Sequence, residues 1–315
     1  MRRLKILTWH THGSYLYYLT QAPHDFYVLS KAGRPAGYGG RCGHLPWGPN
    51  VHDLPVEQAR QQSLDLVLFQ DDHQYERDQH EFLSPAQRAL PQIYLEHDPP
   101  RESPVDTRHP VDDPNVLLVH CTHFNRLMWD SGRTPTAVID HGVVDPGYRY
   151  TGELERGIVV VNNIRSRGRR LGFDLYEQAA AAVPLDLAGM GPDGIGEVLH
   201  KELPSFLARY RFFFNPIRYT SMGLAVIEAM MAGLPIVALA TTEMATVIRN
   251  GANGVAGTDP ARLVEAMQGL LKDRGAAALL GLGARRTALE RFGIERFVTD
   301  WNRAFALVTQ QKLAA

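Results

Sequence analysis

The chain has 315 residues, 33 Lys+Arg against 34 Asp+Glu, and two cysteines. That length suits two domains with real cores. The charge balance excludes a dedicated nucleic-acid binder, two cysteines exclude a disulfide framework, and no stretch of ~18 apolar residues exists to span a membrane. The apolar run Ile6–Trp9 behind Met1-Arg2-Arg3-Leu4-Lys5 is too short for a signal-peptide core. A cytoplasmic protein is therefore expected, with peripheral contact at the inner membrane face left open. The halves differ in sign: residues 1–155 carry 14 basic and 20 acidic side chains, the remainder 19 and 14. Such asymmetry fits an anion held by the second half, or chance scatter of surface charge.

In chain order, apolar runs fall at Leu4–Trp9, Phe26–Leu29, Leu64–Phe69, Gln92–Glu96, Val116–His120 and Ala137–Ile139. Helical patterns at Ser14–Thr20, Val56–Ser63 and His123–Asp130 lie among them. Residues Lys31–Asn50 are rich in Gly and Pro and read as one long loop, either functional or a floppy connection. Pro146, Gly147 and Gly152 interrupt the pattern near Asp145–Arg156. Beyond the break, strands are expected at Ile158–Val161, Leu185–Ala188, Phe212–Phe214, Pro235–Leu239 and Gly254–Ala256. Helices are expected at Gly172–Val183, Glu202–Arg209, Leu224–Ala232, Glu243–Arg249, Pro260–Lys272, Ala276–Phe292 and Ile294–Val308. Continuous apolar strands alternating with helices predict α/β domains, each a parallel sheet covered on both faces.

The segment from Asn215 to Pro235 is the most informative. Ser221 is a candidate N-cap, Gly233 sits where a C′ glycine belongs, and Pro235 forbids continuation. Between the caps Glu228 is the only polar side chain, on a stripe with Leu224 and Met231. A helix apolar all round is a buried helix, so its carboxylate needs a partner. Either a buried arginine or a ligand's hydroxyls, such as a ribose diol, supplies it. The amides of Met222, Gly223 and Leu224 at the helix start form a backbone anion site, with glycine allowing close approach.

This segment resembles the signature of the group 1 retaining glycosyltransferases at Pro216, Gly223, Leu224, Glu228, Ala229, Met230, Gly233 and Pro235. The stretch Thr246–Gly254 resembles a further motif of that family, with Thr246 at its Glu place. The resemblance implies a GT-B fold, two Rossmann-like doubly wound domains facing a cleft. Their expected bounds are 1–150 for the acceptor side and 151–293 for the donor side, with a C-terminal helix, 294–315, crossing back. It implies that Glu228 holds the ribose of a nucleoside-diphosphate sugar and that the Gly223–Leu224 amides meet the diphosphate. Thr220 stands where the family has the Glu that contacts the donor sugar.

Three other stretches align with the same family. In Ile164–Leu175 the family places an Arg and a Lys on the diphosphate; here Arg165, Arg169 and Arg170 compete for the roles, and Arg165 and Arg170 are taken as the candidates. Val198, in the segment resembling the one that borders the base, is a candidate donor contact. Gly13, after the first strand, and His97, at the end of another, are the first-half candidates. His10, His12 and His97 follow no known zinc spacing, and no Asp-x-Asp pair occurs, so neither a metal nor a cofactor is expected. The absence of Gly-x-Gly-x-x-Gly after the first strand excludes a dinucleotide oxidoreductase of the usual kind. The reading is a retaining glycosyltransferase with Arg165, Arg170, His97 and Thr220 at the chemistry. Its acceptor is a glycan, lipid or small molecule. The rival is a nucleotide-sugar-binding protein without turnover.

Overall fold

The computed structural model describes residues 2–311, which form two compact units. One runs to Gly142 and resumes at Ile294; the other is Val143–Gly293. The first segment thus ends at Gly142, ahead of the expected bound at residue 150. Residues 312–315 of the expected crossing helix lie outside the described residues.

In the first unit a sheet of seven strands is built from β1 (Lys5–Thr8), β2 (Asp25–Ser30), β3 (Val51–Pro55), β4 (Leu66–Phe69), β5 (Gln92–Glu96), β6 (Val116–His120) and β7 (Thr136–Val138). Their order is β3-β2-β1-β4-β5-β6-β7, with every neighbouring pair parallel. Trp9, Leu29, Phe69 and Leu118 lie in the core of this sheet. Edge strand β3 goes unnoticed in the sequence because His52, Asp53 and Pro55 break its apolar character, which an edge position tolerates. The helices are α1 (Gly13–Leu19), α2 (Gln79–Phe82), α3 (Pro85–Arg88) and α4 (His123–Met128). Val56–Gln61 is a 3₁₀ turn where an α-helix was expected. The Lys31–Asn50 stretch is tied down by bridges from His10 to Gly37 and Ser30 to Gly39, and by the Arg41 amide donating to Asp53 Oδ1 at 2.6 Å.

The second unit has five parallel strands: β8 (Leu154–Val160), β9 (Leu185–Ala188), β10 (Tyr210–Asn215), β11 (Ile236–Leu239) and β12 (Gly254–Gly257). Their order is β12-β11-β10-β8-β9. Around them lie α5 (Ile164–Arg167), α6 (Phe173–Ala180), α7 (Leu203–Leu207), α8 (Leu224–Ala232), α9 (Met244–Val247), α10 (Pro260–Lys272) and α11 (Arg274–Phe292). Strand order reverses between β8 and β10, and open α/β sheets bind ligands at the carboxyl ends of strands beside such a reversal. The last helix, α12 (Ile294–Gln311), belongs to the first unit and buries Phe297, Trp301 and Phe305 at i, i+4, i+8. Among the described residues no helix is long and apolar enough to cross a membrane.

Candidate functional site

The carboxyl ends of β8 and β10 feed the two loops that carry most of the second-unit candidates. From β8 the chain enters the basic stretch Ile164–Leu171; from β10 it enters Pro216–Gly223. The loops are laced together. The amides of Arg218 and Tyr219 donate to the Arg170 carbonyl at 3.0 and 3.2 Å. Arg218 Nη1 donates to the Arg169 carbonyl at 2.7 Å and grips Asp174 through both nitrogens at 2.6 and 2.8 Å. That guanidinium holds the Asp174 carboxyl below the usual carboxylate range. Gly172 has φ +80°, and a Cβ there would lie 2.0 Å from the Pro216 carbonyl oxygen. The seam therefore needs glycine both for its backbone conformation and for its clearance.

Helix α8 begins at Leu224 with Gly223 in extended conformation as its N-cap. Ser221 does not cap it: its hydroxyl is buried and finds no hydrogen-bond partner among the described residues. Gly223, two residues on, takes the N-cap place instead. The first amides of α8 have no intrahelical acceptor. A Cβ on Gly223 would meet nothing within 4 Å, and its φ of −72° suits any residue. Neither packing nor backbone demands glycine, so what its missing side chain leaves is open space before the amides. Met222 turns its side chain into the core and offers only its backbone outward. Thr220 and Leu224 are half-buried at the same end of the helix. At the other end Gly233 adopts the left-handed conformation expected of it, φ +98°.

The two candidate arginines differ. Arg165 Nε donates to Asp193 Oδ1 at 2.9 Å, and its guanidinium lies 4.3 Å from the Phe173 ring centroid. The half-buried Arg170 guanidinium has no hydrogen-bond or ion-pair partner among the described residues. Arg165 is thus engaged by Asp193, which only the fold brings to it.

Glu228 is buried at mid-helix, as the pattern requires. His200, from the segment that also carries the half-buried Val198, faces it with Nδ1 3.7 Å from Oε1. His200 was not singled out from the sequence, although it lies between Val198 and Glu202 in a stretch already marked as bordering the ligand.

In the first unit Gly13 opens α1 just beyond β1, and a Cβ on it would stand 3.0 Å from His10 Nε2. His97 follows β5. Its ring packs against His12 and Tyr15, with centroids 4.2 and 4.9 Å apart. Burial, then the nearby His12 and His141, holds its imidazole well below the ordinary histidine value, so the ring is neutral. Nε2 stands 3.0 Å from Gln70 Oε1, whose own amide donates to Thr8 and Trp9; the tautomer follows as Nε2–H. Cys121 is core, as expected, and lies 3.8 Å from His97 Nδ1. Among the described residues no group of three His, Cys, Asp or Glu could hold a metal ion.

Residues 193–273 match the family described as glycosyl transferases group 1. D-inositol 3-phosphate glycosyltransferase of Salinispora tropica is 31% identical over 145 residues, 45% of this chain and 29% of that protein. The corresponding enzyme 1 of Catenulispora acidiphila is 33% identical over 34% of this chain and 28% of its own length. The matched segments thus span under a third of these relatives. Two solved structures share the fold over nearly the whole chain. Sucrose-phosphate synthase from Thermosynechococcus elongatus gives a TM-score of 0.70 at 16% identity, covering all of both chains. Anabaena Alr3699/HepE in complex with UDP and glucose gives 0.73 at 13%, covering 96% of this chain and all of that one. Residues 193–273 are thus similar to the group 1 glycosyltransferases, and the two parallel sheets give the chain the GT-B fold of the solved structures.

Proposed function

We propose that the protein is a glycosyltransferase whose second unit binds a nucleoside-diphosphate sugar and whose first unit holds the acceptor, with transfer in retention of configuration. One observation carries the reading: the open amides at the start of α8, the unpartnered Arg170 on the loop docked beside them, and the buried Glu228 lie in one unit at the β8/β10 reversal. Amides and guanidinium suit a diphosphate, and a carboxylate suits a ribose diol. In this mechanism the acceptor hydroxyl attacks the anomeric carbon from the face the leaving group departs. The anomeric carbon–oxygen bond to the phosphate breaks, and the departing phosphate oxygen takes the acceptor's proton. Protein groups position the partners and stabilise the charge that develops on the diphosphate. Arg165 joins by releasing Asp193. His97 stands at the chemistry, Gly13 faces the donor phosphates, Val198 borders the base, and Thr220 faces the donor sugar.

Glucose from a UDP-sugar is the first donor to test, because HepE carries UDP and glucose in its structure. A panel of nucleotide-sugars incubated with the protein is expected to show slow release of nucleoside diphosphate from one donor. Arginine and helix amides take the part of a divalent ion, so that release is expected to continue in excess chelator; loss restored by Mg²⁺ or Mn²⁺ contradicts it. Thr220 in the place of a family Glu favours one rival, a protein that binds the donor without turnover. Failure of the wild type on every donor, with Thr220→Glu active, decides for that rival.

A further inference from the structure

Helix α11 turns alanine and glycine inward and three of its leucines outward. Ala277, Gly281, Ala284 and Ala288 are buried. A Cβ on Gly281 or Gly283 would stand 2.0 or 1.8 Å from the carbonyl oxygens of Gly233 and Ala252, so the helix lies close against the second unit through its glycines. Leu279, Leu282 and Leu289 are 72%, 47% and 43% exposed. At about 100° per residue, these three and Arg286 fall in a strip about 80° wide. The 143–148 segment runs beside the helix. The Val143 amide donates to the Phe292 carbonyl, Asp145 pairs with Arg285 at 2.7 Å, and the Tyr148 ring lies against Gly233. With the exposed Val144 and Tyr148, five of the ten large apolar side chains exposed among the described residues gather on and beside α11.

A contiguous apolar face on a folded unit marks a contact surface, and its charge indicates the partner. Arg286 stands exposed inside the leucine strip, with no hydrogen-bond or ion-pair partner among the described residues. Lys272 and Arg274, at the amino end of the helix, and Arg149, after Tyr148, are exposed as well. Against these cations stand Glu290 and the capping Asp273, since Asp145 is taken by Arg285. A second copy suits the face poorly. Antiparallel pairing that lays Leu279 on Leu289 across a two-fold axis sets Arg286 against Leu282 and buries an unpaired charge; pairing that joins Arg286 to Glu290 parts the leucines. A bilayer with anionic headgroups accepts both features. Leucines enter the boundary of headgroup and acyl chain, while an arginine among them extends along that apolar surface and brings its guanidinium to lipid phosphate. We propose that the outer face of α11, with Val144 and Tyr148 beside it, is a docking surface for an anionic lipid bilayer.

The test is sedimentation of the whole chain with two kinds of vesicle, phosphatidylcholine alone and equal parts of phosphatidylcholine and phosphatidylglycerol. The wild type is expected to bind the anionic vesicles at least about tenfold more tightly than the neutral ones, and less tightly as salt is raised. Arg286→Glu is expected to lose about fivefold or more of that affinity. A protein carrying Leu279→Ser, Leu282→Ser and Leu289→Ser together is expected to lose at least about tenfold. All four side chains are exposed, and circular dichroism with thermal unfolding checks that the variants keep their fold. Should the triple variant not fold, Arg286→Glu and Leu282→Trp carry the test alone. The added indole emission of Leu282→Trp is expected to shift to shorter wavelength with anionic vesicles and to stay in place with neutral ones. A wild type that binds neither vesicle or both equally, variants that bind as the wild type does, or an indole emission that stays in place overturns the proposal. So does light scattering that shows a dimer which the triple variant makes monomeric, since a second copy then covers the face.

Discussion

Glu228 was conspicuous because every other side chain of its helix is apolar, and the structure buries it. Replacing it by alanine is expected to weaken nucleoside-diphosphate binding by about 1.5–3 kcal/mol, the scale of a hydrogen bond to a charged group, without loss of the fold. Calorimetry with circular dichroism checks both halves of that expectation; unchanged affinity rules out the ribose role. The buried histidines of the first unit make a separate prediction about acid. Burial pushes His141 down to about 4 and His120 to about 3. Both folded values lie below the unfolded one near 6.5, so the unfolded chain takes up the proton first. Their contribution is complete above about pH 6.5 and is lost as the pH falls through 4 toward 3. For His141 alone this amounts to on the order of 3 kcal/mol. Urea midpoints for the first unit should fall between pH 7 and 4.5, and fall less in His141→Gln. A midpoint indifferent to pH contradicts this.

At the scale of elements, the two loops beside the sheet reversal behave as one piece because Gly172, Arg218 and Asp174 bind them. Gly172→Ala puts a Cβ against the Pro216 carbonyl and strains a left-handed backbone. It is expected to cost more than about 1 kcal/mol of stability and to weaken donor binding, although residue 172 is not itself a ligand. Thermal unfolding and nucleotide calorimetry measure the two effects, and a variant as stable and as tight-binding as the wild type disproves the coupling. This seam also shows where the sequence stops being readable. The α8 motif is local, and its caps, its glycine and its lone carboxylate can be read from consecutive residues. The partners of the arginines cannot, since Asp193 and Asp174 reach Arg165 and Arg218 only through the fold. Ser221 reads as a cap from its neighbours in sequence, whereas the N-cap in the structure is Gly223. Strand β3 was hidden for the opposite reason: an edge needs too few apolar residues to announce itself.

Across the whole molecule, α12 is a covalent continuation of the second unit that packs as part of the first. Phe297, Trp301 and Phe305 are fully buried there, and His24 Nε2 and Asn302 Oδ1 meet at 3.0 Å. Trp301→Ala should destabilise the first unit by about 3–5 kcal/mol and leave the second unit's transition where it was. Unfolding followed with a probe in each unit distinguishes that outcome from a uniform shift. The arrangement also sets an order of events at the ribosome. At roughly 5–20 residues per second, synthesis of residues 143–293 takes about 8–30 s. Throughout that interval the first sheet has all its strands but not the helix whose Phe297 packs on Tyr15 of α1. The second unit, continuous in sequence and joined end to end by the Val143 amide on the Phe292 carbonyl, has no such wait. The later-made half of this chain can therefore be the first to reach its final form, and the earlier-made half spends that time as a client for whatever shields exposed apolar surface in the cell.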